Sequence, residues 1–292
     1  MNDSLSVWVA GARPRTLPAA VAPILAGSAS AAALGRYHWG IAALCLVVAL
    51  ALQVGVNYAN DYSDGVRGTD DDRVGPTRIT ASGLASPAAV KRAAFLSFGV
   101  AALAGLGVVA WSGHWWLLVV GALAIVAAWF YTGGQRPYGY LGLGELMVFV
   151  FFGLVATVGT AYVISDAAPW HAWLAGAAVG ALAAGILVAN NLRDIPTDRI
   201  AGKMTLPARL GDRNSRLFYV ALVGLTVAAV IGFAALTTWW ALVALLAVGL
   251  LVEPLRRILG GANGRGLIPV IQSTGFAEIG IGLGLLVGTY LA

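Results

Sequence analysis

The sequence predicts an all-α, polytopic membrane protein of about nine transmembrane helices. Three observations carry this. Of 292 residues, 59% are hydrophobic and only 11% charged, with a mean hydropathy of +0.83, whereas a soluble domain carries about a quarter charged residues. Apolar runs recur near 17–35, 38–62, 87–111, 114–132, 143–165, 168–193, 214–236, 238–257 and 267–291, each about long enough to cross a hydrocarbon core. The cations sort by side: with the N-terminus inside, every Lys and Arg except Arg36 falls on the inner side, which fixes a cytoplasmic N-terminus and cytoplasmic loops in the cell membrane. Abundant glycine, 38 residues, suits close helix packing in lipid.

In chain order, the start MNDSLSVWVAGARPRT lacks the basic n-region of a cleavable signal. Pro18 and Pro23 interrupt the first span, which neighbouring helices make tolerable. Arg13 and Arg15 stand just before it, as inner anchors or at the mouth of an anion site. The second span runs into ALQVGVNYANDYSDGVRGTDDD (51–72). The polar loop that follows mixes Asp70, Asp71 and Asp72 with Arg67, Arg73 and Arg78, and long loops of this kind are often functional. SGHWW forms a tight outer turn between spans three and four. YTGGQRPYGYLGLGE (131–145) is rich in Gly and Tyr, so backbone can approach a ligand closely. Tyr131, Tyr138 and Tyr140 are candidates to line an aromatic substrate site, and Glu145 opens the fifth span as a site residue or a favourable N-terminal charge. The sixth span ends in GILVANNLRDIPTD (185–198), followed by Lys203, one of two lysines. Spans seven to nine carry Glu253 and Glu278, to which no role is assigned.

The formal charge of +5 follows topology and gives no reason to expect nucleic acid. His38, His114 and His171 fall at outer ends among tryptophans, an interfacial aromatic belt. They lie across the membrane from the acidic motifs and are poor candidates for a base or metal ligand. The lone Cys45 excludes an intrachain disulfide. No nucleotide loop, serine-hydrolase elbow or zinc spacing is present.

The two acidic helix ends carry the chemistry. Asn57, Asp61 and Asp64 share one helical stripe if the helix continues, and so do Asn190, Asp194 and Asp198. Carboxylates at the mouth of a membrane helix are costly and need a reason. A divalent cation supplies one, because Mg²⁺ takes oxygen ligands and shares them with substrate phosphates. Arg67, Arg78 and Lys203 are placed to contact phosphate oxygens. Repeated Asn-x-x-x-Asp spacing, in motifs at 57–72 and 190–203 of one domain spanning 1–292, suggests two facing half-sites.

These residues resemble the UbiA superfamily of intramembrane prenyltransferases. Asn60, Asp61 and Asp64 fit its first motif, with Gly68 in the last acidic place and Asp70 to Asp72 close by. Asn190, Asn191, Asp194 and Asp198 fit its second. ARPRTLPAAVAPILAG, VNYANDYSDGVRGTDDDRVGP, YTGGQRPYGYLGLGE and VANNLRDIPTDRIAGKMTLPARLGD are most similar to the branch that acts on 1,4-dihydroxy-2-naphthoate. The resemblance implies a bundle around a central cavity and two Mg²⁺ ions bridging a polyprenyl diphosphate to Asp61, Asp64, Asp194 and Asp198. Asn57, Asn60 and Asn190 add metal ligands, and Arg67, Arg78, Lys203 and Asn191 bind diphosphate. Arg15, Tyr131, Tyr138 and Glu145 hold an aromatic carboxylic acid. The implied reaction transfers the prenyl group with loss of CO₂ and diphosphate, giving a demethylmenaquinol. Other readings stay open: another acceptor such as 4-hydroxybenzoate, a cation-binding transporter with paired half-sites, or a CDP-alcohol phosphotransferase, whose dense Asp motif is not found.

Overall fold

The structure is a computed structural model and describes residues 3–68 and 78–292. Asp70, Asp71, Asp72 and Arg73 lie outside the described residues. Among those described, every regular element is helical. A short α1 (Asp3–Ala12) precedes α2 (Pro18–Ala32), α3 (Trp39–Arg67), α4 (Pro87–Ser112) and α5 (Leu117–Phe130). Next come α6 (Gly144–Val148), a π-helical turn (Phe149–Val155) and α7 (Ala156–Ser165), which together make one apolar rod. Then follow α8 (Trp170–Ile200), α9 (Leu206–Leu236), a 3-10 stretch (Trp239–Leu251) continuing into α10 (Val252–Leu259), and α11 (Ile268–Tyr290).

Each expected interval therefore holds a helix. Among the described residues six segments are long and apolar enough to cross a membrane: Trp39–Arg67, Pro87–Ser112, Gly144–Ser165, Trp170–Ile200, Leu206–Leu236 and Gly264–Tyr290. Pro18–Ala32 and Leu117–Phe130 are shorter apolar helices. The 238–257 interval differs from a plain span, being 3-10 through Leu251 before an amphipathic turn.

Local chemistry explains the ends. Ser86 caps α4, its hydroxyl accepting from the Ala89 N–H, with Pro87 in the first turn, where a missing N–H costs nothing. Thr205 caps α9 in the same way. Gly68 and Gly113 close α3 and α4 in the left-handed conformation that glycine adopts without strain. Two helices run further than their apolar stretches. With 29 and 31 residues, α3 and α8 reach ~45 Å at 1.5 Å per residue, against a core of ~30 Å. Their C-terminal turns overhang, and those turns are the two acidic motifs. The second motif is helical throughout, with Pro196 inside it.

The core sits where α2, α8, α9, α11 and the 3-10 stretch meet, built largely of alanine with Leu182, Tyr219 and Phe233. At one crossing a Cβ on Gly153 would lie 2.6 Å from Gly180 Cα, so the π-turn and α8 pack backbone to backbone. A second cluster joins α3, α4 and the 78–81 turn around Tyr58, Ile79 and Phe98. The helix ends separate into two rims. At one, His38 packs on Trp111, His114 bonds Asp166 at 2.7 Å, and Ser30 bonds His171 at 2.7 Å. The other rim carries both acidic motifs and the 131–145 segment.

Candidate active site

One cavity of about 410 Å³ runs from the acidic rim toward the histidine rim. Its charged lining at the acidic rim consists of Arg13, Arg15, Arg78, Lys203 and Asp64, four cations and one carboxylate, with Asn57, Asn60, Asn190, Asn191, Tyr131, Thr132 and Tyr138 beside them. Beyond this end the wall is apolar, from Leu52, Val48 and Cys45 on α3 to Val108, Leu117, Phe151, Phe152 and Val163. The cavity therefore fits a ligand with an anionic head and a long hydrocarbon tail.

The first motif divides its residues between two tasks. Asp61 is fully buried, and its two oxygens accept from the backbone N–H groups of Ile79 and Thr80 at 3.0 and 2.8 Å. It pins the 78–81 turn onto α3, where Gly65 leaves no room for a Cβ against Thr80. Asn57 donates to the Ala12 carbonyl and the Thr16 hydroxyl, both at 2.8 Å, and accepts from Gln53 at 3.4 Å. It anchors the segment that carries Arg13 and Arg15. Asp64, three residues on, lines the cavity and contacts Arg78 at 3.3 Å and the Tyr140 hydroxyl at 2.7 Å. Asn60 also faces the cavity, its oxygen held by the Thr132 hydroxyl at 2.7 Å.

The second motif divides similarly by other means. Asp194 accepts from Arg193 at both oxygens, 2.7 Å each, and Arg193 also reaches Asn190 Oδ1 at 2.9 Å. Asp198 accepts from Thr205 at 3.3 Å and stands 3.6 Å from Lys203, whose ammonium lies over the Tyr140 ring. Tyr140 thus joins the halves: its hydroxyl reaches Asp64, its ring lies under Lys203, and its carbonyl accepts from Met204 N at 3.1 Å.

Several sequence-predicted residues are placed differently from expectation. Arg67, expected on diphosphate, donates to the carbonyls of Thr132 and Gly134, stacks on Tyr140 and does not line the cavity. Its reach follows from α3 extending to Arg67, beyond the expected end. Asp61, Asp194 and Asp198, expected on metal, likewise do not line it: backbone N–H groups occupy the Asp61 oxygens, Arg193 those of Asp194, and Thr205 and Lys203 contact Asp198. Asn191, expected to donate to diphosphate, gives its Nδ2 to Glu145 Oε1 at 2.8 Å. Glu145 is buried behind Asn191, outside the lining, and its second oxygen has no partner among the described residues. Tyr140, expected against the aromatic substrate, is the bridge just described. Tyr131 and Tyr138 do line the cavity, edge to face with centroids 5.5 Å apart. Burial pushes the Tyr138 phenol up, so it stays protonated and donates to the Ala127 carbonyl at 2.9 Å. Arg15 is exposed at the mouth. Sequence reasoning missed Arg193, Thr132, Thr16 and Gln53. Only Arg193, beside Asp194, left a visible signal.

The donors at the polar end are oxygens: Asp64 and the amide carbonyls of Asn60 and Asn190 in the lining, with Asp198 beside the lining residue Lys203. That set suits a hard cation such as Mg²⁺, which takes one or two carboxylates plus substrate phosphates. Among the described residues no three His, Cys, Asp or Glu side chains converge as a self-sufficient cage. The fit therefore depends on a phosphate-bearing substrate sharing the ion.

Comparisons with known proteins bear on the family and the fold. Residues 20–261 match the UbiA prenyltransferase family. The chain is 53% identical to a Mycobacterium tuberculosis protein named 1,4-dihydroxy-2-naphthoate octaprenyltransferase, covering 94% of each. It is 36% identical to an Escherichia coli protein of the same name, covering 98% of this chain and 95% of that one. Its fold is similar to the apo structure of a UbiA homolog from Aeropyrum pernix K1, with TM-score 0.72, 16% identity and coverage of 94% and 97%. It is also similar to a UbiA homolog from Archaeoglobus fulgidus bound to DMAPP and Mg²⁺, with TM-score 0.60, 15% identity and coverage of 96% and 99%. A helical bundle with two acidic helix ends over an amphipathic cavity, matched over most of its length, belongs to the UbiA prenyltransferase family.

Proposed function

We propose that this membrane enzyme transfers a polyprenyl group from polyprenyl diphosphate to 1,4-dihydroxy-2-naphthoate in menaquinone synthesis, releasing diphosphate and CO₂ and leaving a demethylmenaquinol. The carrying observation is the cavity, cation-rich and acidic at one rim and apolar beyond, in a chain half identical to a relative bearing that name. The acidic rim and N-terminus face the cytoplasm, and the bundle acts as one domain in the cell membrane.

Arg78 and Lys203 take the diphosphate and hold its charge as the C1–O bond breaks. Asp64 and Asp198, with Asn60 and Asn190, would hold Mg²⁺, one ion for each half, which when bound neutralises the leaving group. Tyr131 and Tyr138 offer ring faces to the allylic cation and a wall for the naphthoate. Arg15 at the mouth pairs with its carboxylate. The new carbon–carbon bond forms at the ring carbon bearing the carboxylate. CO₂ then leaves from that carbon, its bonding electrons returning to the ring. No ring proton has to be removed there, consistent with histidines confined to the far rim. The apolar wall keeps water from the cation.

The test incubates purified protein with Mg²⁺, a polyprenyl diphosphate and carboxyl-labelled 1,4-dihydroxy-2-naphthoate. Labelled CO₂ and diphosphate in equal amounts are expected. Diphosphate release with 4-hydroxybenzoate, and no CO₂ from either acid, would overturn the acceptor assignment.

A further inference from the structure

Two glycines in the cavity wall have no neighbour at all where a Cβ would stand. Gly159 on α7 and Gly121 on α5 sit in regular helix, where glycine costs ~0.5–1 kcal/mol relative to alanine. Elsewhere glycine is required by close contact: a Cβ on Gly153 would meet Gly180 at 2.6 Å, and one on Gly27 would meet the Thr157 carbonyl at 2.4 Å. At Gly159 and Gly121 a Cβ would meet nothing within 4 Å, and both line the cavity. Gly99 is equally uncrowded but lies outside the lining, so open space alone does not distinguish the pair.

Their depth gives the space a use. Gly121 lies four residues into α5 from Leu117, and Gly159 six residues before the end of α7 at Ser165, ~6 and ~9 Å from the histidine rim by helical rise. Cys45, also in the wall, precedes Asp64 by nineteen residues of one helix, ~28 Å. The apolar lane thus crosses most of a ~30 Å hydrocarbon core, and the two uncrowded glycines lie toward its far end. The Thr160 hydroxyl in that wall donates to the Ala156 carbonyl at 2.7 Å, so its proton is used within its own helix.

We infer that Gly159 and Gly121 set the length of isoprenoid tail that the enzyme accepts, by leaving the far end of the lane open to the last units of a long chain. This rests on the prenyl-transfer reading. A side chain at either position fills the far end and leaves the polar end, some twenty ångströms away by helical rise, unchanged.

The experiment measures turnover with farnesyl and octaprenyl diphosphates for wild type, Gly159→Phe, Gly121→Phe and Gly159→Ala. Gly159→Phe and Gly121→Phe are expected to keep farnesyl transfer within about 3-fold, which itself reports a folded protein, and to lose octaprenyl transfer by ~10- to 100-fold, the scale of an overpacked apolar site. Gly159→Ala is expected to change neither. In Leu117→Ala, which enlarges the far end, the octaprenyl-to-farnesyl ratio should rise. Equal loss for both lengths, or octaprenyl transfer unchanged in both Phe variants, would overturn the inference. Wild type inactive with every prenyl diphosphate would instead remove the reaction on which it rests.

Discussion

On α3, Asp61 accepts from two backbone N–H groups of a turn some eighteen residues away. On α8, Asp194, at the same place in the Asn-x-x-x-Asp spacing, is held by the side chain of its own neighbour, Arg193. The next carboxylate in each motif behaves differently from the first. Asp64 and Asp198 each stand beside a cation that lines the cavity, Arg78 and Lys203. Equal spacing therefore hides unequal surroundings: the inner carboxylate of each pair is held by backbone N–H groups or a neighbouring guanidinium, and the outer one stands beside a cation of the cavity wall. The halves also differ in cost. Removing Asp61 strands two buried backbone donors, whereas removing Asp194 strands one guanidinium that still has Asn190.

The sharpest way to break this comparison is at the outer carboxylates. Asp64→Asn and Asp198→Asn are each expected to lower kcat by at least ~10²-fold, the scale for removing one preorganised charge at a leaving group, with the melting temperature nearly unchanged. Asp61→Ala should instead lower stability by ~2–4 kcal/mol, since each unsatisfied buried N–H costs ~1–3 kcal/mol. Thermal unfolding in detergent measures it. Tyr140→Phe keeps the ring under Lys203 and removes the hydroxyl on Asp64. About a 10-fold loss in kcat is expected, in line with one hydrogen bond to a charged group. Arg67→Ala should be mildest, ~1 kcal/mol of stability for its carbonyl contacts, with kcat within a few-fold and faster proteolysis of the 132–136 segment.

Much of this was legible in the sequence for a physical reason. Apolar runs end at caps, glycines and charges, and one-sided Lys and Arg mark the rims, so helix positions and their grouping follow from local composition. The placement of Asp64, Lys203, Tyr131 and Tyr138 at one cavity end followed from the same grouping. What was not legible depends on distant partners. Nothing local says that α3 continues to Arg67, that Asp61 meets Ile79 and Thr80, or that Glu145 lies behind Asn191. Tyr140 sat in view within YTGGQRPYGYLGLGE, but its bridging position requires Asp64 and Lys203 to approach from two helices. The roles of Asp70 to Asp72 fall outside the described residues.

The most direct measurement compares Asp61→Asn and Asp64→Asn side by side, recording melting temperature and kcat for prenyl transfer on the same preparations. The account predicts opposite profiles: a lowered melting temperature with substantial residual turnover for Asp61→Asn, and a wild-type melting temperature with turnover lost for Asp64→Asn. An Asp61→Asn protein as stable as wild type and as inactive as Asp64→Asn would contradict it, returning Asp61 to the reacting end of the cavity.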